Sequence, residues 1–172
     1  MISHPLAFMR LPYEVLVALD SRMLHFWLQP VHYLIRIVHI MSMALFFGMD
    51  MLFDIGMLNR RMTGRLAPAA QLMVRPLHVS FAIAMVTGVV LFFYDPVHIG
   101  SRAYLTPKLL LIMLAMLNAW WCHRTVYLPV LRGHASPTLR GQIGASLSLC
   151  LWTGVMVASC LNSEGVPKVF LR

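Results

Sequence analysis

Charge is the scarcest property of this chain. Only 12% of its 172 residues are charged, against about a quarter in a typical soluble domain. Acids are scarcer still, 6 Asp and Glu against 14 Lys and Arg, which leaves a net charge of +8. That excess does not point to nucleic acid. The basic residues stand in short loops between apolar runs and form no stripe with interleaved aromatics. Cysteine is also rare. Cys122, Cys150 and Cys160 are odd in number and show no CxxC spacing, which argues against a disulfide framework and a zinc site and for buried free thiols. No GxSxG, HExxH, GxGxxG or phosphate-loop pattern occurs, so no catalytic residue is assigned. Residues 1–30 do not read as a signal peptide, because Pro5, Arg10, Pro12, Glu14, Asp20 and Arg22 interrupt any apolar core.

What the chain has instead is long apolar runs. Hydrophobic residues make up 59% of it and the mean hydropathy is +0.74. A membrane helix needs about 20 residues. Four runs satisfy that length, at about 31–57, 72–94, 107–128 and 141–163. Backbone groups in lipid must bond internally, and no barrel-like alternation is present, so the runs predict helices. The expected fold is all-α, an integral membrane four-helix bundle. Residues 31–163 form the transmembrane domain and 164–172 a short tail. Residues 1–30 form an N-terminal interfacial segment. Within it, Val15, Leu16, Leu19, Met23, Phe26 and Trp27 recur at helical spacing between Pro12 and Gln29, which predicts one amphipathic helix.

Orientation follows from the loops. Arg60, Arg61, Arg65 and Arg75, then Arg124, Arg132 and Arg140, fall on one side of the bundle with no acid among them. The positive-inside rule places these loops in the cytoplasm and both termini outside. Lipid is the first partner.

The first run carries the chemistry. His32 and His39 are seven residues apart, so at 100° per residue they point within about 20° of each other. Asp50 returns to nearly the same direction, and Arg36 and Met43 flank the stripe. Ionisable groups inside a membrane are costly enough to suggest function. His78 in the second run and His123 near the end of the third lie on antiparallel helices towards the cytoplasmic face. Facing histidines at equal depth are how a bundle holds haem b. His39 lies in the outer half, where only His98 offers a second imidazole. Lys108, Arg36 and Arg102 on that side suit haem propionates or a quinone head. Asn118 adds a polar group inside the third run. Asp50 and Asp54 sit near the arginine-rich side, where Arg60 or Arg61 could pair with them. Methionine at 14 residues, with Met41 and Met43 near His39, also permits a copper path.

A resemblance reinforces part of this pattern. Val38-His39-Ile40 leading to Gly48 and Asp50-Met-Leu-Phe-Asp54 is its core, followed by Phe81 and Thr87-Gly88-Val-Val-Leu-Phe92. Tyr104, Lys108-Leu-Leu-Leu, Leu117-Asn118, His123 and Leu151-Trp152 complete the order. Over roughly 12–163 the chain resembles a family of small bacterial four-helix membrane proteins of unknown function. That family is similar in layout to CopD-type and cytochrome b561-type membrane proteins. The resemblance implies redox or metal work at His39, Asp50, Lys108, Asn118 and His123. It does not extend to His78, and Cys160 stands where it implies a basic residue. The expected function is an electron-transferring membrane component that binds haem b or contacts quinol. A non-catalytic anchor or assembly subunit is the alternative, and copper transport a second. His39 is the first residue expected to matter, with His39→Gln abolishing cofactor retention or electron transfer while leaving insertion intact.

Overall fold

A computed structural model describes residues 12–59, 63–102, 104–128 and 139–164. Among the described residues the chain forms seven α-helices. They are α1 (Tyr13–Leu19), α2 (Arg22–Leu28), α3 (His32–Leu58), α4 (Thr63–Tyr94), α5 (Pro96–Gly100), α6 (Leu105–Cys122) and α7 (Leu139–Glu164). After α6 the helix widens into a π turn over His123–Tyr127. No strand occurs among the described residues. Among the described residues four segments are long and apolar enough to cross a membrane: His32–Leu58, Pro68–Tyr94, Leu105–Val126 and Leu139–Asn162. The shortest, at 22 residues, is about 33 Å long at 1.5 Å per residue, enough for a hydrocarbon core of about 30 Å. This is a multi-pass membrane bundle.

Its side chains are arranged for lipid. Large apolar residues point outward, with Leu72 80% exposed and Met41, Leu52 and Val86 likewise bare. Small ones point inward: Ala70, Ala84, Ala115, Ala145, Ala158, Ser42, Ser80 and Ser148 are buried. Lipid tails are as apolar as leucine, so helices associate by close backbone approach over small residues. Helix α3 packs against α4 and α7, and α7 packs in turn against α6. One end of the bundle is covered by α1, α2 and α5, and is called the capped end here. The other carries the connection from α3 to α4 and is called the arginine-rich end.

Helices α6 and α7 approach each other closely at Gly144 of α7. A Cβ there would collide with the Cys122 Sγ and reach within 3.3 Å of the Trp121 ring. Gly144→Ala should therefore cost about 1–3 kcal/mol through overpacking. Removing the obstructing sulfur in Gly144→Ala/Cys122→Ala should recover most of that loss. Unfolding of both variants in mixed micelles measures it, and a strictly additive pair of losses would deny the contact.

Two features of the helices differ from the sequence expectation. The amphipathic segment is two helices, not one, because the chain turns extended at Asp20 and Ser21 restarts it as the cap of α2, its hydroxyl accepting from the Leu24 N–H at 3.4 Å. Leu16 of α1 is then buried against Gly100 of α5, which holds α1 on the cap. The second membrane helix also starts earlier than residue 72 and continues through Pro68 and Pro76. Each proline removes one backbone hydrogen bond, a cost that packing against α3 offsets.

The interior is layered. Starting from the capped end, Tyr94 is stacked between His25 and His32, with centroids 4.4 Å and 4.8 Å apart and planes within 13° and 3°. His39 of α3 follows, against α4. Next comes an aromatic layer of Phe46, Phe81 and Trp152, packed with Ala115 and Val155. Below it lie Asp50, Asp54, Asn118 and Ser148, and finally Met57, Val126 and Ala145 close the arginine-rich end.

Candidate functional site

His39 is held by α4. Its Nδ1 lies 2.9 Å from the Ala84 carbonyl and 3.0 Å from the Thr87 Oγ1, so an N–H there donates towards both. The Thr87 hydroxyl spends its own proton on the Ile83 carbonyl at 2.6 Å. Gly88 leaves the room for the ring: a Cβ on it would stand 3.0 Å from the His39 Cε1. Lys108, half-buried on the first turn of α6, is near enough for its charge to act on this imidazole. His98 does not join them. Its Nε2 accepts from Arg102 at 2.7 Å, and Arg102 also donates to the Asn162 carbonyl, which ties α5 to the end of α7. Arg36 is exposed one turn beyond His32. His32 is turned to the cap, where its Nδ1–H donates to the Gln29 carbonyl at 2.7 Å.

His78 and His123 do meet. Their ring centroids are 6.1 Å apart and their planes 83° to each other. The π turn starts at His123, and the ring lies exposed on the flank of the bundle, as His78 does. The His78 Nδ1–H donates to the Val74 carbonyl at 2.7 Å, which leaves Nε2 as the acceptor nitrogen. Arg75 lies one turn before His78, and Arg124, next to His123, stacks over the Trp120 ring at 4.6 Å.

The stripe on α3 splits between two neighbours. His39 faces α4, but Asp50 faces α7, where the Ser148 hydroxyl donates to its Oδ2 at 3.1 Å. Asp54, one turn on, is buried beside the same hydroxyl and the Asp50 carboxyl. Asn118 is buried as well and joins α6 to α7: its amide N–H donates to the Gly144 carbonyl at 3.0 Å, and its Oδ1 accepts from the Cys122 thiol at 3.8 Å. Arg60 and Arg61 lie outside the described residues. From sequence, Ser148 has no role at a site, Cys122 reads only as a buried thiol, and Gly88 enters only within the resemblance. Ser148 and Gly88 belong to runs of small residues, a signal that indicates close packing without saying what is packed.

Among the described residues no three of His, Cys, Asp and Glu converge to hold a bare metal ion. The methionines of α3 diverge too, with Met41 and Met51 exposed and Met43 and Met49 half-buried. Along α6 and α7 runs an open groove of about 460 Å³ lined by Leu114, Leu117, Asn118, Trp121, Ile143, Leu147 and Leu151, apolar enough for an acyl chain. No protein-family model, curated protein or solved structure matches this chain.

Proposed function

We propose that this protein is a small electron-carrying component of a bacterial inner membrane, with haem b ligated by His78 and His123. One observation carries the reading, the 6.1 Å separation of these two rings. Two imidazoles from antiparallel helices at this spacing would be the residues to hold one haem iron between them.

The donor set fits the group. The Val74 carbonyl fixes the His78 tautomer and raises the basicity of Nε2, as partners of metal-bound histidines do. Arg75 and Arg124 stand beside the two imidazoles, where guanidinium groups would pair with propionates. Haem bound there supplies a one-electron iron couple. His39, Lys108 and Arg36 occupy the capped half and are suited to a quinol head: an imidazole to accept its proton and cations to orient its oxygens. The resemblance noted in the sequence implies redox or metal work at His123 but does not reach His78; a membrane or periplasmic redox protein is the electron partner of this reading.

Protein purified after haem-replete expression should show a b-type alpha band in its reduced-minus-oxidised spectrum. A flat difference spectrum would reject the haem and favour the anchor reading. The orientation is tested separately. With both termini periplasmic, a reporter active only in the periplasm should work when fused after Arg172 and fail when inserted near Leu66 or Gly133. The reverse pattern would put the His78 and His123 pair on the periplasmic side.

A further inference from the structure

Asp50 and Asp54 present an accounting problem of charge. They stand one turn apart on α3, inside a bundle whose surroundings in lipid hold no water. The Ser148 hydroxyl has one proton, and it donates to Asp50 Oδ2 at 3.1 Å. The Asn118 amide donates to Gly144, and the Cys122 thiol to Asn118. Asp54 has at most a share of that hydroxyl. The residue is only 5% exposed, and its Oδ2 has no hydrogen-bond partner among the described residues.

Neighbouring helices offer no described cation to the pair. Helix α6 brings Cys122 to face it, and α7 brings Ser148, while Cys150 and Cys160 are exposed. On the described part of α4 the titratable side chains at this end are Arg75 and His78, both exposed. Two ionised carboxylates this close repel, and each loses its hydration. The pair lies between two apolar layers, with Asp54 buried and Asp50 half-buried: Phe46 and Trp152 on the side of the capped end, Met57 and Val126 on the side of the arginine-rich end.

We propose that Asp50 and Asp54 form an occluded site for one small monovalent cation, a proton or a sodium ion, shared between the two carboxyls. The donors are oxygens, which select hard cations. Calcium would need six to eight of them and magnesium would keep several waters, more than two carboxyls and one hydroxyl supply. With a proton as occupant, the Asp54 carboxyl gains an O–H and Asp50 remains the single charge, stabilised by Ser148. The site is independent of the haem, and its test does not use the haem.

Infrared spectra of the full-length protein in detergent at neutral pH test this, in sodium chloride and in choline chloride at equal ionic strength. Of the 6 acids, only Asp50 and Asp54 lie inside the spans, so a carboxylic C=O band from a water-shielded group belongs to this pair. The expected result is such a band, unchanged by sodium and lost in Asp54→Asn. No band in wild type, with a saturable rise of Tm in sodium that choline does not reproduce, would identify sodium as the occupant and also support the site. Two ionised carboxylates with no sodium dependence would overturn it, and would mean that loop arginines compensate the pair. The wild-type spectra decide between these outcomes even if Asp54→Asn does not fold.

Discussion

His78→Leu should purify with the wild-type yield and helix content and show no b-type alpha band at all. The side chain is exposed, and its Nδ1 partner, the Val74 carbonyl, lies on the same helix, so leucine leaves no buried group stranded. An iron that loses one of two axial imidazoles loses the low-spin spectrum that defines the band. His123→Leu should do the same, and the double variant should be no worse, because one ligand pair is a single unit. His39→Gln separates this assignment from the one that sequence alone favoured. Its ring is engaged with Ala84 and Thr87, and no ring contact with a second imidazole is found among the described residues, so glutamine should keep one bond to α4 and leave the band in place. Such a bond averages about 0.6 kcal/mol in a membrane, and its partial loss is survivable. A spectrum abolished by His39→Gln and kept by His78→Leu would move the iron to the capped half and reverse the roles of the two histidines.

The same residues show how much of the molecule could be read in advance. Span lengths are imposed by the bilayer, so the four apolar runs place the membrane helices to within a few residues. Depth was equally readable. His78 and His123 on antiparallel helices, and Lys108 near the level of His39, follow from counting residues along each run. Which neighbour a face meets was not readable. The 20° alignment of His39 with Asp50 is a property of one helix, yet α4 lies against the first and α7 against the second, because helices that cross do not remain on one face. Ser148 could not be found for the same reason: nothing in an uncharged run marks one serine among Ser146, Ser148 and Ser159 as a carboxylate's partner. The break at Asp20 was within reach, since an Asp-Ser pair ahead of an apolar turn is a helix start. The periodicity on both sides of it continues in phase and hid the interruption.

The largest loss of stability should come from Trp152→Ala. Trp152 is 3% exposed in the middle of α7, and it meets Phe46 of α3 edge-on at 4.7 Å and Phe81 of α4 at 5.9 Å. Ala115 of α6 packs into the same cluster, so one side chain joins all four membrane helices. Removing it leaves a void between groups too rigid to refill it, and such truncations cost about 3–5 kcal/mol. Edge-to-face aromatic pairs add about 0.5–1.5 kcal/mol beyond area. Leu72→Ala, on a side chain 80% exposed to lipid, should change stability by no more than about 0.5 kcal/mol. Unfolding in mixed micelles compares the two, and equal losses would mean that the aromatic layer is not the core of the bundle. The position of that layer gives the variant a second consequence. Phe46, Phe81 and Trp152 separate the imidazole layer at His39 from the carboxylates at Asp50 and Asp54. A cavity there, bordered by polar groups on both sides, is one that water can enter, since water needs two to four polar partners. Backbone amides of α3 between His39 and Asp50 should then exchange faster in Trp152→Ala, even under conditions where the bundle remains folded, while those facing lipid at Leu72 do not change.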